Sequence, residues 1–219
     1  MTTRFSNWPS QGAKICGIRT QADYDICRQS GAAFVGCVFF EKSPRHLSFE
    51  EVAHIANIAQ ADGPRRVALT VNADDAYLQA IYDHCQPDMF QLHGDESPER
   101  IAEIKSRFTI PVMKAFRVKS QADIKASQTH YDIADWLLFD ADSGNPDLPG
   151  GTGHQFDWSL VSNLQISKPW MLAGGLNPDN VADAKAQTSA CYFDVSSAVE
   201  SQKGVKDHNL IQQFVDAVK

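Results

Sequence analysis

The feature that most constrains the fold of this chain is a regular alternation between short apolar runs and longer segments with helical periodicity. The apolar runs are rich in β-branched and aromatic residues, as is typical of buried strands. Strands are predicted at residues 14–18, 34–40, 66–71, 89–92, 111–116, 136–139, 170–173 and 191–195. Helices are predicted at residues 21–30, 48–60, 73–84, 120–127, 156–163, 178–186 and 207–218, with one more beginning at residue 97. This repeated β-then-α order predicts an α/β protein with a single (β/α)8 TIM barrel, and an open doubly wound sheet is the alternative.

The predicted barrel occupies nearly the whole chain. A length of 219 residues suits one undivided α/β barrel. Residues 1–13 are polar and lack a period, so they are predicted to be an N-terminal extension. Residues 14–219 are predicted to form the barrel, with its functional site at the carboxyl ends of the strands.

Composition and charge argue against several classes of partner. A net charge of -7 and a pI near 5.4 disfavour nucleic acid as the main ligand, because binding to a phosphate backbone requires clustered Lys and Arg. No apolar run approaches the roughly 20 residues of a membrane helix, and the N-terminus lacks the pattern of a secretion signal. The five cysteines include no C-x-x-C pair, so no metal site or disulfide framework is predicted. We therefore expect a cytoplasmic protein with reduced thiols, and a monomer by default.

Three clusters of small residues follow the last predicted strands. They are residues 149–153 (PGGTG), 173–175 (AGG) and 194–197 (DVSS). Each would expose backbone N–H groups without a side chain in the way, which suits a phosphate group. Because loops after neighbouring parallel strands meet at one end of a barrel, the three clusters predict a phosphate site.

Reactive side chains end several of the earlier strands. Cys16, His93 and Asp140 lie at or near the carboxyl ends of the first, fourth and sixth predicted strands, and Arg45 lies in the loop after the second. A thiol, an imidazole and a carboxylate can transfer protons, while a guanidinium can bind an anion. Taken singly, each has a structural explanation: a buried small hydrophobe for the thiol, a turn or loop cap for the imidazole and carboxylate, and a solvated face for the guanidinium.

Taken together, these motifs resemble one family. Its motifs are matched at residues 14–18 (KICGI), 39–45 (FFEKSPR), 91–96 (QLHGDE), 150–153 (GGTG), 156–158 (FDW), 172–176 (LAGGL) and 194–197 (DVSS). Their order and spacing resemble phosphoribosylanthranilate isomerase, and the resemblance covers residues 14–219. It implies a cofactor-free Amadori rearrangement of N-(5-phosphoribosyl)anthranilate to 1-(2-carboxyphenylamino)-1-deoxyribulose 5-phosphate in tryptophan biosynthesis.

The resemblance also implies roles for individual residues. Cys16 matches the general base and Asp140 the general acid, while Arg45 matches the position that holds the anthranilate carboxylate. His93 and Asp194 match positions that face the substrate. The phosphate would be held by backbone groups of Gly151, Thr152, Gly153, Gly174, Gly175, Ser196 and Ser197.

Some residues depart from the family pattern, and alternatives remain open. Thr70 stands where an aromatic residue is usual, which questions the packing near the anthranilate ring; Cys37 and Ala198 also depart. Asp142, two residues beyond Asp140, is a second candidate acid. The alternative functions are a related ribose-phosphate isomerase of broader specificity and a non-catalytic phosphate-binding barrel.

Overall fold

The centre of the protein is a closed barrel of eight parallel strands, neighbouring one another in sequence order. A computed structural model describes residues 8–58, 63–141 and 156–219. The barrel strands are β1 (Gly12–Cys16), β2 (Phe34–Phe39), β3 (Arg65–Thr70), β4 (Met89–Leu92), β5 (Val112–Val118), β6 (Trp136–Ala141), β7 (Trp170–Leu172) and β8 (Tyr192–Val195). β1 pairs in parallel with β8, which closes the sheet. The predicted (β/α)8 TIM barrel is therefore confirmed, and the open sheet is excluded.

Helices follow most of the strands and cover the outside of the barrel. They are α1 (Gln21–Ser30), α2 (Phe49–Ile58), α3 (Asp75–Cys85), α4 (Pro98–Arg107), α5 (Gln121–Ser127), α6 (Val181–Gln187) and α7 (His208–Val218). Polar side chains fix where several of them begin: Asp74 accepts from Tyr77 N, and Ser97 accepts from Arg100 N. Among the described helices, none is long and apolar enough to span a membrane.

Two predicted elements differ from the structure in ways that bear on the site, while the other described bounds differ by at most three residues. The first strand was expected at residues 14–18 but ends at Cys16, because Gly17 has a φ of 78° and turns the chain. The helix expected at residues 156–163 is a single 3-10 turn, Trp158–Leu160, among the described residues. Asp157 caps that turn by accepting from Ser159 N, and the polar residues beyond it favour a turn over a longer helix.

A short antiparallel hairpin follows β8 and was not predicted. It consists of β9 (Glu200–Gln202) and β10 (Val205–Lys206). Gly204 turns the chain between them with a φ of 81°. The hairpin brings three charged residues, Glu200, Lys203 and Lys206, to the carboxyl end of the barrel.

Aromatic rings fill the other end of the barrel. Trp8 packs on Phe34 and on Trp136, with ring centroids 5.5 Å apart in both pairs. Tyr192 packs on Trp136 at 4.7 Å and donates a hydrogen bond to the carbonyl of Pro9. We call these four rings the aromatic floor. Because the aromatic floor fills the barrel at the amino ends of the strands, the open space lies at their carboxyl ends.

Candidate active site

One cavity of about 480 Å³ brings together most of the predicted site residues. The predicted residues that line it are Cys16, Arg45, His93, Asp140, Asp194, Ser196 and Ser197. They come from five different strands or the loops after them, as the barrel topology requires. Gly174 and Gly175 follow β7, but they are not among the described residues that line the cavity. Gly151, Thr152, Gly153 and the second candidate acid Asp142 lie outside the described residues.

Cys16 shares the barrel interior with a buried ion pair. Lys14 and Cys16 are alternate residues of β1 and so lie on the same face of the strand. Lys14 Nζ is 2.9 Å from Asp194 Oδ1, and these two residues are also neighbours in the β1–β8 register. Burial raises the pKa of the Cys16 thiol; the charge of Lys14 opposes this rise and that of Asp194 adds to it.

Close packing fixes the position of the thiol. Gly36 of β2 lies beside it, and a Cβ on Gly36 would lie 2.8 Å from Cys16 Sγ. Ser196 donates a hydrogen bond from its hydroxyl to the carbonyl oxygen of Cys16 at 3.1 Å. The Ser196 hydroxyl is therefore engaged with β1, and its backbone N–H is the group left for an anion.

His93 is oriented by a residue two positions before it. Gln91, on the same face of β4, contacts His93 Nδ1 through its amide nitrogen at 3.0 Å. With that amide as the donor, Nδ1 is the acceptor and the ring carries its hydrogen on Nε2. His93 Nε2 is 3.6 Å from Asp140 Oδ2 and makes no hydrogen bond within the described part of the chain. Both groups are thus directed into the cavity with hydrogen-bonding capacity available to a ligand.

Arg45 is nearly buried and is held in a fixed orientation. Its side chain is 8% exposed, and the guanidinium forms a bidentate pair with Glu200, whose side chain is 4% exposed. The Lys206 ammonium donates to Glu200 Oε1 at 2.9 Å. Gly17 makes room for Arg45, since a Cβ on Gly17 would lie 2.5 Å from Arg45 Cδ. Two donors of the guanidinium are occupied by Glu200, and the planar group retains others for an anion.

Apolar side chains complete the cavity wall and resolve the question raised by Thr70. Val38, Phe40, Leu69 and Val71 line the cavity. Thr70 is buried on the opposite face of β3, which points toward the helices. Its departure from the family pattern therefore does not alter the described cavity wall.

The other two departures also lie away from the described wall of the cavity. The Cys37 side chain is buried in the same hydrophobic core cluster as Cys85 at the end of α3. Ala198 packs against the core from the 3-10 turn Ser197–Val199. Neither residue is among the described residues that line the cavity.

Four site residues were missed by the sequence analysis: Lys14, Gln91, Glu200 and Lys206. Alternation along a strand was an available signal for Lys14 and Gln91, each two positions before a predicted site residue. Glu200 and Lys206 had no such signal, because the unpredicted hairpin brings Glu200 to the cavity wall and Lys206 beside Glu200. Within the described ranges, no group of three or more His, Cys, Asp or Glu residues could hold a metal ion.

Comparison with known proteins gives a consistent result. The family profile described as N-(5'phosphoribosyl)anthranilate (PRA) isomerase matches residues 13–217. An N-(5'-phosphoribosyl)anthranilate isomerase from Cereibacter sphaeroides is 47% identical over 207 residues, covering 94% of this chain and 97% of the relative. The crystal structure of phosphoribosyl anthranilate isomerase from Thermotoga maritima is similar with a TM-score of 0.85 and 32% identity, covering 95% of this chain and 98% of that one.

A further similar structure contains a ligand. It is a phosphoribosyl anthranilate isomerase in complex with reduced 1-(o-carboxyphenylamino)-1-deoxyribulose 5-phosphate. Its TM-score is 0.81 and its identity 31%, with 95% of this chain and 98% of that chain covered.

Proposed function

This chain belongs to the PRA isomerase family and is an isomerase of tryptophan biosynthesis with a small-molecule substrate, and we propose that Cys16 is its general base and Asp140 its general acid. The substrate is N-(5-phosphoribosyl)anthranilate, and the product is 1-(2-carboxyphenylamino)-1-deoxyribulose 5-phosphate. The observation that carries the proposal is that a thiol on β1 and a carboxylate on β6 line the same cavity.

The first chemical step opens the ribose ring. Asp140 gives a proton to the ring oxygen, the bond between that oxygen and C1 breaks, and the nitrogen lone pair forms a protonated Schiff base with C1. His93 Nε2, 3.6 Å from Asp140 Oδ2, is placed to orient the carboxyl group and the oxygen that receives the proton.

The second step moves a proton away from C2. The Cys16 thiolate removes the C2 proton, and the electrons left behind form the C1–C2 double bond as the Schiff base becomes a neutral enolamine. The enol oxygen at C2 then loses its proton to water and C1 gains one from water, which gives the ketone, and proton exchange with water returns Cys16 to the thiolate and Asp140 to the acid. The sum is an isomerisation, so protons and electrons balance over the substrate, the two side chains and water.

Binding groups surround these two residues. Arg45 is the proposed ligand of the anthranilate carboxylate, because a planar guanidinium binds a carboxylate through paired hydrogen bonds. Asp194 is the proposed hydrogen-bond partner of the substrate hydroxyl groups. Backbone N–H groups of Ser196 and Ser197, with those of Gly174 and Gly175 and the loop at Gly151, Thr152 and Gly153, are the proposed phosphate ligands.

The test is a coupled assay. Anthranilate and phosphoribosyl pyrophosphate, joined by a phosphoribosyltransferase, generate the labile substrate, and its consumption is followed by fluorescence. Cys16→Ser and Asp140→Asn are each expected to lower turnover by about 10²–10⁴-fold. Cys191→Ser and Asp216→Asn change exposed residues away from the cavity and are the matched controls. A rate no faster than the spontaneous background would refute the activity.

Two further arms decide the finer assignments. Near-normal turnover by Asp140→Asn together with inactive Asp142→Asn would make Asp142 the acid. Comparable turnover of an aminoaldose from histidine biosynthesis would indicate the isomerase of broader specificity. The monomeric state and the cytoplasmic location stay predictions; size-exclusion chromatography with light scattering tests the first, and cell fractionation the second.

A further inference from the structure

We propose that Lys14 is a positioning residue for the isomerisation, a buried ammonium group that Asp194 holds beside Cys16 and that stabilises the thiolate form of Cys16. The inference deepens the proposed function and rests on the assignment of Cys16 as the base. It concerns a residue that touches neither the acid nor the anion-binding groups of the cavity.

The geometry places the cation permanently next to the thiol. Lys14 is completely buried inside the barrel, one pleat below Cys16 on the same strand. Its ammonium is anchored to Asp194 Oδ1 at 2.9 Å and interacts electrostatically with Cys16, two residues along the same face of the strand. Because Lys14 and Asp194 are register partners in adjacent strands, the backbone of the closed barrel fixes the position of the charge.

The cavity creates a need for such a charge. Cys16 is only 6% exposed, and forming a thiolate there requires removing an anion from most of its contact with water. Burial accordingly raises the pKa of the thiol, and Lys14 is the largest influence that opposes the rise. A neutral residue at position 14 would leave the thiolate without its principal stabilising charge.

Lys14 retains its proton in this environment. Burial by itself lowers the pKa of Lys14, but the charges of Asp194 and Cys16 outweigh it, so the net pKa lies above its ordinary value. The ammonium is therefore positive when Cys16 is a thiolate, which is the state that it is proposed to stabilise.

The other charged groups around Cys16 are less suited than Lys14 to stabilise its thiolate. Asp194 opposes the thiolate, and Lys206 favours it. Burial lowers the pKa of Lys206, and its ammonium is engaged with the Ser196 carbonyl and with Glu200. The remaining charged or titratable groups that line the cavity are Arg45, His93, Asp140, Glu200 and Lys203.

The experiment measures the thiol directly. In a Cys191→Ser background, which removes the exposed cysteine, the rate of alkylation of Cys16 by iodoacetamide is followed from pH 6 to pH 10 by peptide mass spectrometry. Lys14→Gln, whose amide still bonds to Asp194, is expected to slow alkylation at a given pH about tenfold, because removing a nearby opposite charge disfavours the thiolate. The rise of kcat/KM with pH should move to higher pH in the same variant.

A second buried pair supplies the matched control. Lys114 Nζ is 3.1 Å from Glu96 Oε2, and both side chains are buried to a similar depth as those of Lys14 and Asp194. Neither Lys114 nor Glu96 lines the cavity. Lys114→Gln should leave the alkylation profile of Cys16 unchanged. An unchanged profile in folded Lys14→Gln, judged by circular dichroism, would overturn the inference.

A measurement on the unsubstituted chain covers the case in which Lys14→Gln does not fold. With 15Nζ-labelled lysine, the NMR signal of Lys14 should shift with pH as Cys16 ionises, and the shift should be absent in Cys16→Ser. A Lys14 signal identical in the two proteins would refute the inference. Normal turnover by Cys16→Ser would instead refute the proposed base, while the alkylation and NMR results would still report on Lys14.

Discussion

The Glu200 carboxylate binds the Arg45 guanidinium through two hydrogen bonds, to Nε at 2.6 Å and to Nη2 at 2.9 Å. Burial alone would raise the pKa of Glu200, but the hydrogen bond from Arg45 and the charge of Lys206 outweigh it and hold the pKa below its usual value. The carboxylate therefore stays ionised and keeps the guanidinium in one orientation at the cavity wall. Arg45, which is proposed to bind the anthranilate carboxylate, is thus oriented before the substrate binds.

We expect Glu200→Gln to raise KM about tenfold with a smaller change in kcat, because losing one charge-assisted contact costs about 1.5 kcal/mol or more. Steady-state kinetics in the coupled assay measure both constants. The control is Glu103→Gln, which removes an exposed partner of Arg100 on α4. A lower KM for Glu200→Gln would mean that Glu200 competes with the substrate carboxylate.

Gln91→Leu should lower activity with little change in stability. An apolar replacement of the fully buried Gln91 removes its unpartnered Oε1 but also leaves His93 Nδ1 without its donor, and these opposing effects should keep the change in the free energy of unfolding within about 1 kcal/mol. His93 loses the contact that sets its ring orientation, and kcat/KM should fall about tenfold, as expected for a misplaced group near the reacting atoms. Gln212→Leu on the exposed side of α7 is the control, and unaltered kcat/KM in Gln91→Leu would contradict the role given to that contact.

Trp8→Ala should lower stability with little effect on activity, the reverse of Gln91→Leu. Trp8 packs on two rings of the aromatic floor, at the end of the barrel away from the cavity. Removing the indole should lower the free energy of unfolding by about 2 kcal/mol through lost burial, while kcat/KM stays within about twofold because the reacting residues lie at the other end of the barrel. Urea unfolding and the coupled assay make the comparison, and a large loss of activity in a folded protein would show that the floor affects the site.

Alkaline stability should depend on Tyr192. Burial, with a contribution from the charge of Cys191, raises the pKa of Tyr192 to about 12. Because the unfolded value is about 10, the folded state holds this proton more tightly, and stability falls as pH rises from about 10 through about 12. Tyr192→Phe loses the hydrogen bond to Pro9, about 1 kcal/mol at pH 7. At pH 11 the unsubstituted protein has lost part of the stability that Tyr192 gives it, so the difference in the free energy of unfolding between the two proteins should be smaller than at pH 7. Urea unfolding at both pH values measures it, and a larger difference at pH 11 would contradict the expected pH dependence.

The barrel and much of its site could be predicted from the sequence, because the carboxyl ends of parallel strands all lie at the same end of a barrel. Cys16, His93 and Asp140 are far apart in the chain, yet locating the end of each strand was enough to place them around one cavity. Lys14 and Gln91 follow from the same alternation, once a strand is known to close into a barrel and bury one face.

Glu200 could not be predicted in this way. Its position depends on a seven-residue hairpin, Glu200–Lys206, whose strands of three and two residues are too short for local periodicity to reveal. The expected helix at residues 156–163 failed for a related reason, since capping by Asp157 favours a turn that periodicity alone does not reveal.

The aromatic floor also determines how molecules move through this enzyme. Four rings fill the barrel axis at the amino ends of the strands, so ligands enter and leave the cavity at the same end. A product molecule that has not departed occupies the space that the next substrate must enter. We therefore expect inhibition by product to be competitive with substrate, as a consequence of the shape of the barrel and independently of which groups carry the protons.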